Sequence, residues 1–252
     1  MNRNRVTWAL VSILVLTTCF VSFGTSTSSG HDNPIQEPQP TPEGADDLSR
    51  YALVDYYDPE TTKVKVRRTR EQTNQRYDKQ HFVTRNPGPE DSSIIRRNDE
   101  VFLKPALPKS PVVVIGQTTR SAAFLSNDKQ GIYTEFTFRI DEVLKGDSSI
   151  KSGSIITFDR MGGLVRYPNG QKVLYITAGQ DLPRVGDKLL LFLDSDAVSP
   201  NYRLTTAYTF GRNTVSPLDE GQEFEPFKAS AVSDFLNTVR KKLSLTAPNL
   251  KD

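Results

Sequence analysis

The 252-residue chain predicts a mainly β fold, a small barrel or sandwich of about six strands followed by one C-terminal amphipathic helix. Three observations carry that expectation. Between residues 105 and 222, short apolar runs recur between Gly, Pro and Asn-Gly signals, the punctuation of strands. Several of these runs alternate apolar and polar residues, the period of a half-buried strand. After Ser230 the apolar residues follow a helical period instead.

The elements follow in order. Residues 112–116, after Pro111, form an unbroken apolar run that suits a strand covered on both faces. A polar loop centred on 127–131 leads into a long strand over 132–144, where Phe136, Phe138 and Ile140 share one face and Glu135, Thr137, Arg139 and Asp141 the other. Continuing that alternation would bury Glu142 and expose Val143. One extra residue near Asp141 and Glu142 repairs it, because a bulge turns Val143 inward and bends the strand as a closed sheet requires. Lys145, Gly146 and Asp147 end the strand, and 155–160 begins the next with Ile156 and Phe158 inward and Thr157 and Asp159 outward. Residues 165–167 face 172–175 across Pro168, Asn169 and Gly170, since Asn-Gly accepts the positive φ of a tight turn. The apolar run 189–193 is expected to lie centrally, and over 202–208 Leu204, Thr206 and Tyr208 fall on one face with Arg203, Thr205 and Ala207 on the other. In the tail, Val232, Phe235, Leu236, Val239 and Leu243 make a stripe expected to cover an open end of the sheet, with Ser230 or Ser233 as N-cap and Arg240, Lys241 and Lys242 suiting the helix C-terminus.

Upstream of this β-domain (105–222) and the helix and tail (223–252), three segments differ in texture. Residues 1–24 read as a signal peptide or membrane anchor: Arg3 and Arg5 precede an apolar run over 6–21, and small residues follow at Ser22 and Gly24. Three fates are open. Ser22 and Gly24 suit cleavage; Leu16, Thr17, Thr18 and Cys19 outline a lipobox in which Cys19 would be lipidated, although Thr18 stands where a smaller residue is usual; and 6–23 is long enough to stay as an anchor. Asn4 separates the arginines, so no twin-arginine signal forms. Residues 25–47, with Pro34, Pro38, Pro40 and Pro42, have too little apolar content to fold and are expected to act as a disordered tether. Residues 48–104 are expected to form a partly ordered extension whose Tyr51, Tyr56, Tyr57, Tyr77 and Phe82 dock it on the main domain.

Global charge gives no argument for a polyanionic partner, because 32 Lys and Arg nearly balance 30 Asp and Glu. The basic run Lys63, Lys65, Arg67, Arg68 and Arg70 reads as a solvated face, or else as a contact with an acidic envelope surface. Cys19 is the only cysteine, so the domain must hold together by its core. No catalytic, cofactor-binding or metal-binding residue is assigned. His31 and His81 are the only histidines and neither is placed for a triad. The adjacent acids Asp141 with Glu142 and Asp99 with Glu100 point apart on extended chain, Asp194 and Asp196 begin a calcium-loop pattern that Val198 breaks, and Gly162 with Gly163 reads as a turn. Phe136, Phe138 and Phe158 fall on the core face, which removes the stacking platform that single-stranded nucleic acid needs. One candidate interaction surface remains, the loop over 124–131, with Phe124 and Leu125 as anchors and Asn127 and Asp128 beside them; its alternative is ordinary core packing.

Glu142, Val143, Leu144, Lys145 and Gly146, lying between two strands, and Gly186 and Asp187 before the run 189–193 form a pattern that resembles a "strand, VLKG, strand" core of uncharacterised exported bacterial proteins. That core is distantly similar to the OB-type barrel of metalloproteinase-inhibitor and netrin modules. The likeness covers 112–208 and implies an OB-like fold. It does not carry the inhibitory mechanism, because those modules rely on cysteines, one of them a zinc chelator, and this domain has none. The expected function is an exported, non-enzymatic binding or structural module of a bacterial envelope, periplasmic, at the cell surface or secreted. Its expected partner is another envelope protein, its membrane contact runs only through the N-terminal segment, and no cofactor or nucleic acid is expected. The alternatives are an extracytoplasmic hydrolase and a protein-binding or inhibitor-like OB module.

Overall fold

The computed structural model describes residues 48–57, 68–85, 87, 94–97, 110–195, 199–221 and 224–246. Calls on the leader with Cys19, the tether, His31, Asp99, Glu100, Asp196 and Val198 lie outside these residues. The barrel is built from five strands: β3 (Val112–Leu125), β4 (Ile132–Lys145), β5 (Ile155–Met161), β8 (Lys188–Asp194) and β9 (Tyr202–Phe210). β3 pairs antiparallel with β4 and with β8, β4 with β5, and β8 with β9, while β5 meets β9 in parallel at Phe158↔Tyr202. The ring is therefore closed, in the order first, second, third, fifth, fourth strand, and the mainly β, OB-like expectation holds.

Closure needs strong bending, and the β3–β4 ladder supplies it with three register shifts. At one of them Ile115 faces Glu142 while Gly116 faces Ile140, so Asp141 is the extra residue, and Val143 turns to pack against the interior as the broken alternation predicts. Gly116 is required here by close approach, since a Cβ would lie 2.0 Å from the Arg139 carbonyl oxygen. Val114, Phe136, Phe138, Phe158, Leu191 and Leu204 fill the interior. The single alternation expected over 202–208 fails. Phe192 faces Thr206 and Leu193 faces Leu204, leaving Thr205 as a second extra residue, so Leu204 and Ala207 line the interior while Tyr208 packs outside it.

The C-terminal helix covers that outer side. We label the two helices α1 (Arg68–Arg76) and α2 (Val232–Thr246). α2 buries Phe235 and Val239 against Val113, Ile115, Leu190 and Phe192, so it covers the flank of β3 and β8 and not an open end of the sheet. Neither serine caps it. The Val232 amide donates to the Asn213 carbonyl at 3.2 Å and the Phe235 amide to the Ala231 carbonyl, while the Ser230 hydroxyl donates to the Pro226 carbonyl. The neighbouring turn has taken the role of the cap.

A second sheet, in the order β1-β6-β7-β2, joins β1 (Leu53–Asp55), β2 (Ile94–Arg97), β6 (Gly163–Arg166) and β7 (Lys172–Thr177). The β6–β7 hairpin is the one expected from Asn169 and Gly170, with Gly170 at φ +84°. β1 and β2 pair in parallel with its two sides, so residues 48–97 supply both edge strands. Tyr56, Phe82, Ile132, Val173 and Tyr175 pack a core beneath this sheet. A further strand, β10 (Val215–Pro217), adds to β9.

Candidate functional site

The polar groups of the chain converge on the outer face of β4 and β5, under α1. The sequence of α1, RTREQTNQR, carries no apolar stripe and spans nine residues, too short and too polar to be stable alone. What holds it is side-chain chemistry with the barrel. The Arg70 guanidinium lies 3.4 Å from the centroid of the Phe124 ring and 3.0 Å from the Glu135 carboxylate. The Tyr133 hydroxyl donates to Asn74 Oδ1 at 2.6 Å, and the Thr73 and Ser199 hydroxyls lie 2.8 Å apart. Arg76 Nη1 donates to both oxygens of Asp159 at 2.7 and 3.0 Å, while its Nη2 donates to the Asn201 carbonyl at 3.3 Å. The Tyr77 hydroxyl donates to the same carboxylate, while its ring stacks on Tyr133 with centroids 4.4 Å apart.

Asp159 has no exposed surface. Burial pushes its carboxyl above the ordinary value, against the Tyr77 hydroxyl and the Arg76 guanidinium, which pull it down. Burial likewise raises Glu135, opposed by Arg70 and by a hydrogen bond from Asn201 Nδ2 at 3.0 Å. The Tyr77 phenol is driven well above its usual range, first by burial and then by the adjacent carboxylate. Both carboxylates are thus enclosed and neutralised by partners of the same chain. A second buried pair, Arg160 with Asp219, is closed in the same way: the Thr206 hydroxyl donates to Asp219 at 2.5 Å and Arg160 donates to the Asp181 carbonyl at 2.8 Å. Breaking such a buried pair by removing one partner is costly, because it leaves the other charge buried and uncompensated.

The candidate loop abuts this cluster. Phe124 and Leu125 are the last residues of β3, paired with Tyr133 and Ile132, and both are half-buried: Phe124 under Arg70, Leu125 against the core of the second sheet. Asn127 is exposed, yet it accepts from Asn74 at 3.0 Å and donates to the Glu71 carbonyl at 3.3 Å. Asp128 accepts from the Ser126 hydroxyl at 2.6 Å and from the amides of Gln130 and Lys79 at 2.9 and 2.6 Å. Burial raises the Asp128 carboxyl, but these hydrogen bonds outweigh it and hold it below its ordinary value. Gly131 is needed at the base of the loop, where a Cβ would lie 2.1 Å from the Tyr77 carbonyl oxygen. The four residues are therefore brought together, and α1 lies against them.

Arg70, Arg76, Tyr77, Tyr133, Glu135 and Asp159 escaped sequence reasoning as a group. Alternation puts Glu135 and Asp159 on the outer face, where they lie, but no spacing in the sequence ties them to 70–77. Arg70, expected on a solvated basic face, is engaged; residues 63–67 lie outside the described part. Among the described residues, no group of His, Cys, Asp and Glu is arranged to hold a metal. Nor is any described helix long and apolar enough to cross a membrane.

An OB-like barrel, extended by a second sheet and covered on its β4–β5 face by its own polar helix, is the class these features define. No family model matches the chain, and no curated protein is significantly similar to it.

Proposed function

We propose that this chain is an exported, non-enzymatic binding or structural module of a bacterial envelope. The observation that carries the reading is the internal closure of its buried carboxylates. Asp159, Glu135 and Asp219 are each paired with an arginine of the same chain, whereas acid–base catalysis needs such a group within reach of a substrate proton. Export is supported by Arg3 and Arg5 ahead of the apolar run 6–21. The partner expected on this reading is another envelope protein, met outside the cytosol.

Two measurements test it. Mass spectrometry of the mature N-terminus is expected to find cleavage near Gly24, a lipid on Cys19 or a retained leader in an envelope or secreted fraction; recovery of an unmodified chain from the cytosol alone overturns export. A panel of esters, peptides and glycans is expected to stay intact with the full chain. Turnover that Glu135→Gln or Asp159→Asn abolishes would establish the rival hydrolase reading.

A further inference from the structure

We infer that Phe124, Glu135 and Asn201 form an arginine-binding site beside the β4–β5 face, which Arg70 of α1 fills in the free chain and an arginine-bearing segment of a partner protein takes over. This deepens, and rests on, the reading of the chain as an exported binding module. The ligand chemistry is on view, because the chain's own guanidinium occupies the site. Its carbon lies 3.4 Å from the Phe124 ring centroid, and Nη1 lies 3.0 Å from Glu135 Oε1. A ring and a carboxylate side by side select a flat cation that stacks and pairs at once.

Arg70 uses that site incompletely. Its Nη1 faces the carboxylate without the alignment of a hydrogen bond. The other contact, from Asn201 Nδ2 at 3.0 Å, goes to the same oxygen, so no described residue engages Glu135 Oε2. Arg166 shows what is missing, for it donates through Nε and Nη2 to the two separate oxygens of Asp55. That forked pairing is the strongest an arginine makes with a carboxylate, and at Glu135 it is left open. The carboxylate is also within reach: its side chain is 14% exposed and Arg70 30%, whereas Asp159 has no exposed surface. Burial raises the Glu135 carboxyl, opposed first by the Arg70 charge, so the enclosed acid needs a cation beside it.

The present occupant is detachable at this end. α1 has nine residues and no apolar stripe, and among the described residues its backbone pairs with the backbone of no other element. Ahead of Thr73 its described polar contacts are those of Arg70 and of the Glu71 carbonyl, which accepts from Asn127 at 3.3 Å. From Thr73 onward it is anchored, by Ser199, Tyr133 and Asp159. A helix so short is marginal in water, so its first turn opens at low cost while the anchored end stays. A lysine-bearing segment fits the vacated place less well, since an ammonium has no plane to lie along the ring and no fork for two oxygens.

Two peptides test the assignment in a nuclear magnetic resonance titration of the full chain: residues 68–76 with capped ends, RTREQTNQR, and the same peptide with lysine at each arginine. The Arg70→Ala chain is expected to bind the arginine peptide about ten-fold more tightly than the unaltered chain does, and about ten-fold more tightly than it binds the lysine peptide. Adding Glu135→Gln to Arg70→Ala is expected to bring the arginine peptide down to the level of the lysine one. Hydrogen exchange of the unaltered chain needs no variant to fold. The amides of Gln72 and Thr73 are expected to exchange about ten-fold faster than those of β4, and faster still once the arginine peptide is added. No binding to Arg70→Ala, equal affinity for the two peptides, indifference to Glu135→Gln, or α1 amides as protected as those of β4 overturns the proposal. Any of these removes only this partner, whereas turnover of a panel substrate removes the module reading itself.

Discussion

At Asp159 a carboxylate with no exposed surface is held by two side chains, Arg76 and Tyr77, that come from 83 and 82 residues away along the chain. Removing the acid leaves the guanidinium buried beside a phenol it cannot satisfy. Asp159→Ala is therefore expected to lower stability by about 3 kcal/mol in urea denaturation, and Asp159→Asn, which keeps an acceptor for Tyr77, by less. Other acids make stability depend on pH. Asp55 and Asp128 have folded-state values below the ordinary one, so each contributes stability above about pH 3.9 and loses it as pH falls through its folded value. The urea midpoint is expected to drop between about pH 4 and pH 2. That drop should shrink in the double variant Asp55→Asn with Asp128→Asn. Outward placement of Glu135 and Asp159 was legible from simple alternation; their partners were not, because an ion pair across 65 or 83 residues leaves no local pattern.

Element by element, legibility follows periodicity. β4 is legible down to an extra residue near Asp141 and Glu142, because its alternation breaks visibly between Ile140 and Val143; the ladder makes that residue Asp141. In β9 the same device at Thr205 was silent, since Leu204, Thr206 and Tyr208 make an unbroken alternation that conceals a change of face. α1 had no signal at all, being polar on every side and formed by its contacts. The α2 stripe was evident, but which surface it covers depends on where β3 and β8 meet. Backbone proximity at the β3–β4 bend gives a test at this scale: Gly116→Ala is expected to destabilise by about 3 kcal/mol, because the strands must separate to admit a Cβ now 2.0 Å from a carbonyl oxygen. Thermal unfolding with near-ultraviolet circular dichroism checks it.

For the whole molecule, the topology joins residues 48–57, 68–85 and 94–97 to the β-sheets. They supply β1, β2, α1 and the buried Tyr56, Tyr77, Phe82 and Val83. A fragment of 105–252 is accordingly expected to lack a cooperative transition and to bind a hydrophobic dye, while 48–252 unfolds in one step; a cooperative 105–252 would show the barrel to be self-sufficient. By itself, the sequence determined the mainly β class, the order of the barrel strands along the chain, the Asn-Gly hairpin and the amphipathic tail, because each is written in residues close to one another. Only the tertiary structure decided how the ring closes through the parallel β5–β9 contact, which strands flank the hairpin, and that a polar helix covers the β4–β5 face. Those outcomes rest on hydrogen bonds and ion pairs between distant residues, whose energies depend on geometry that no local pattern encodes.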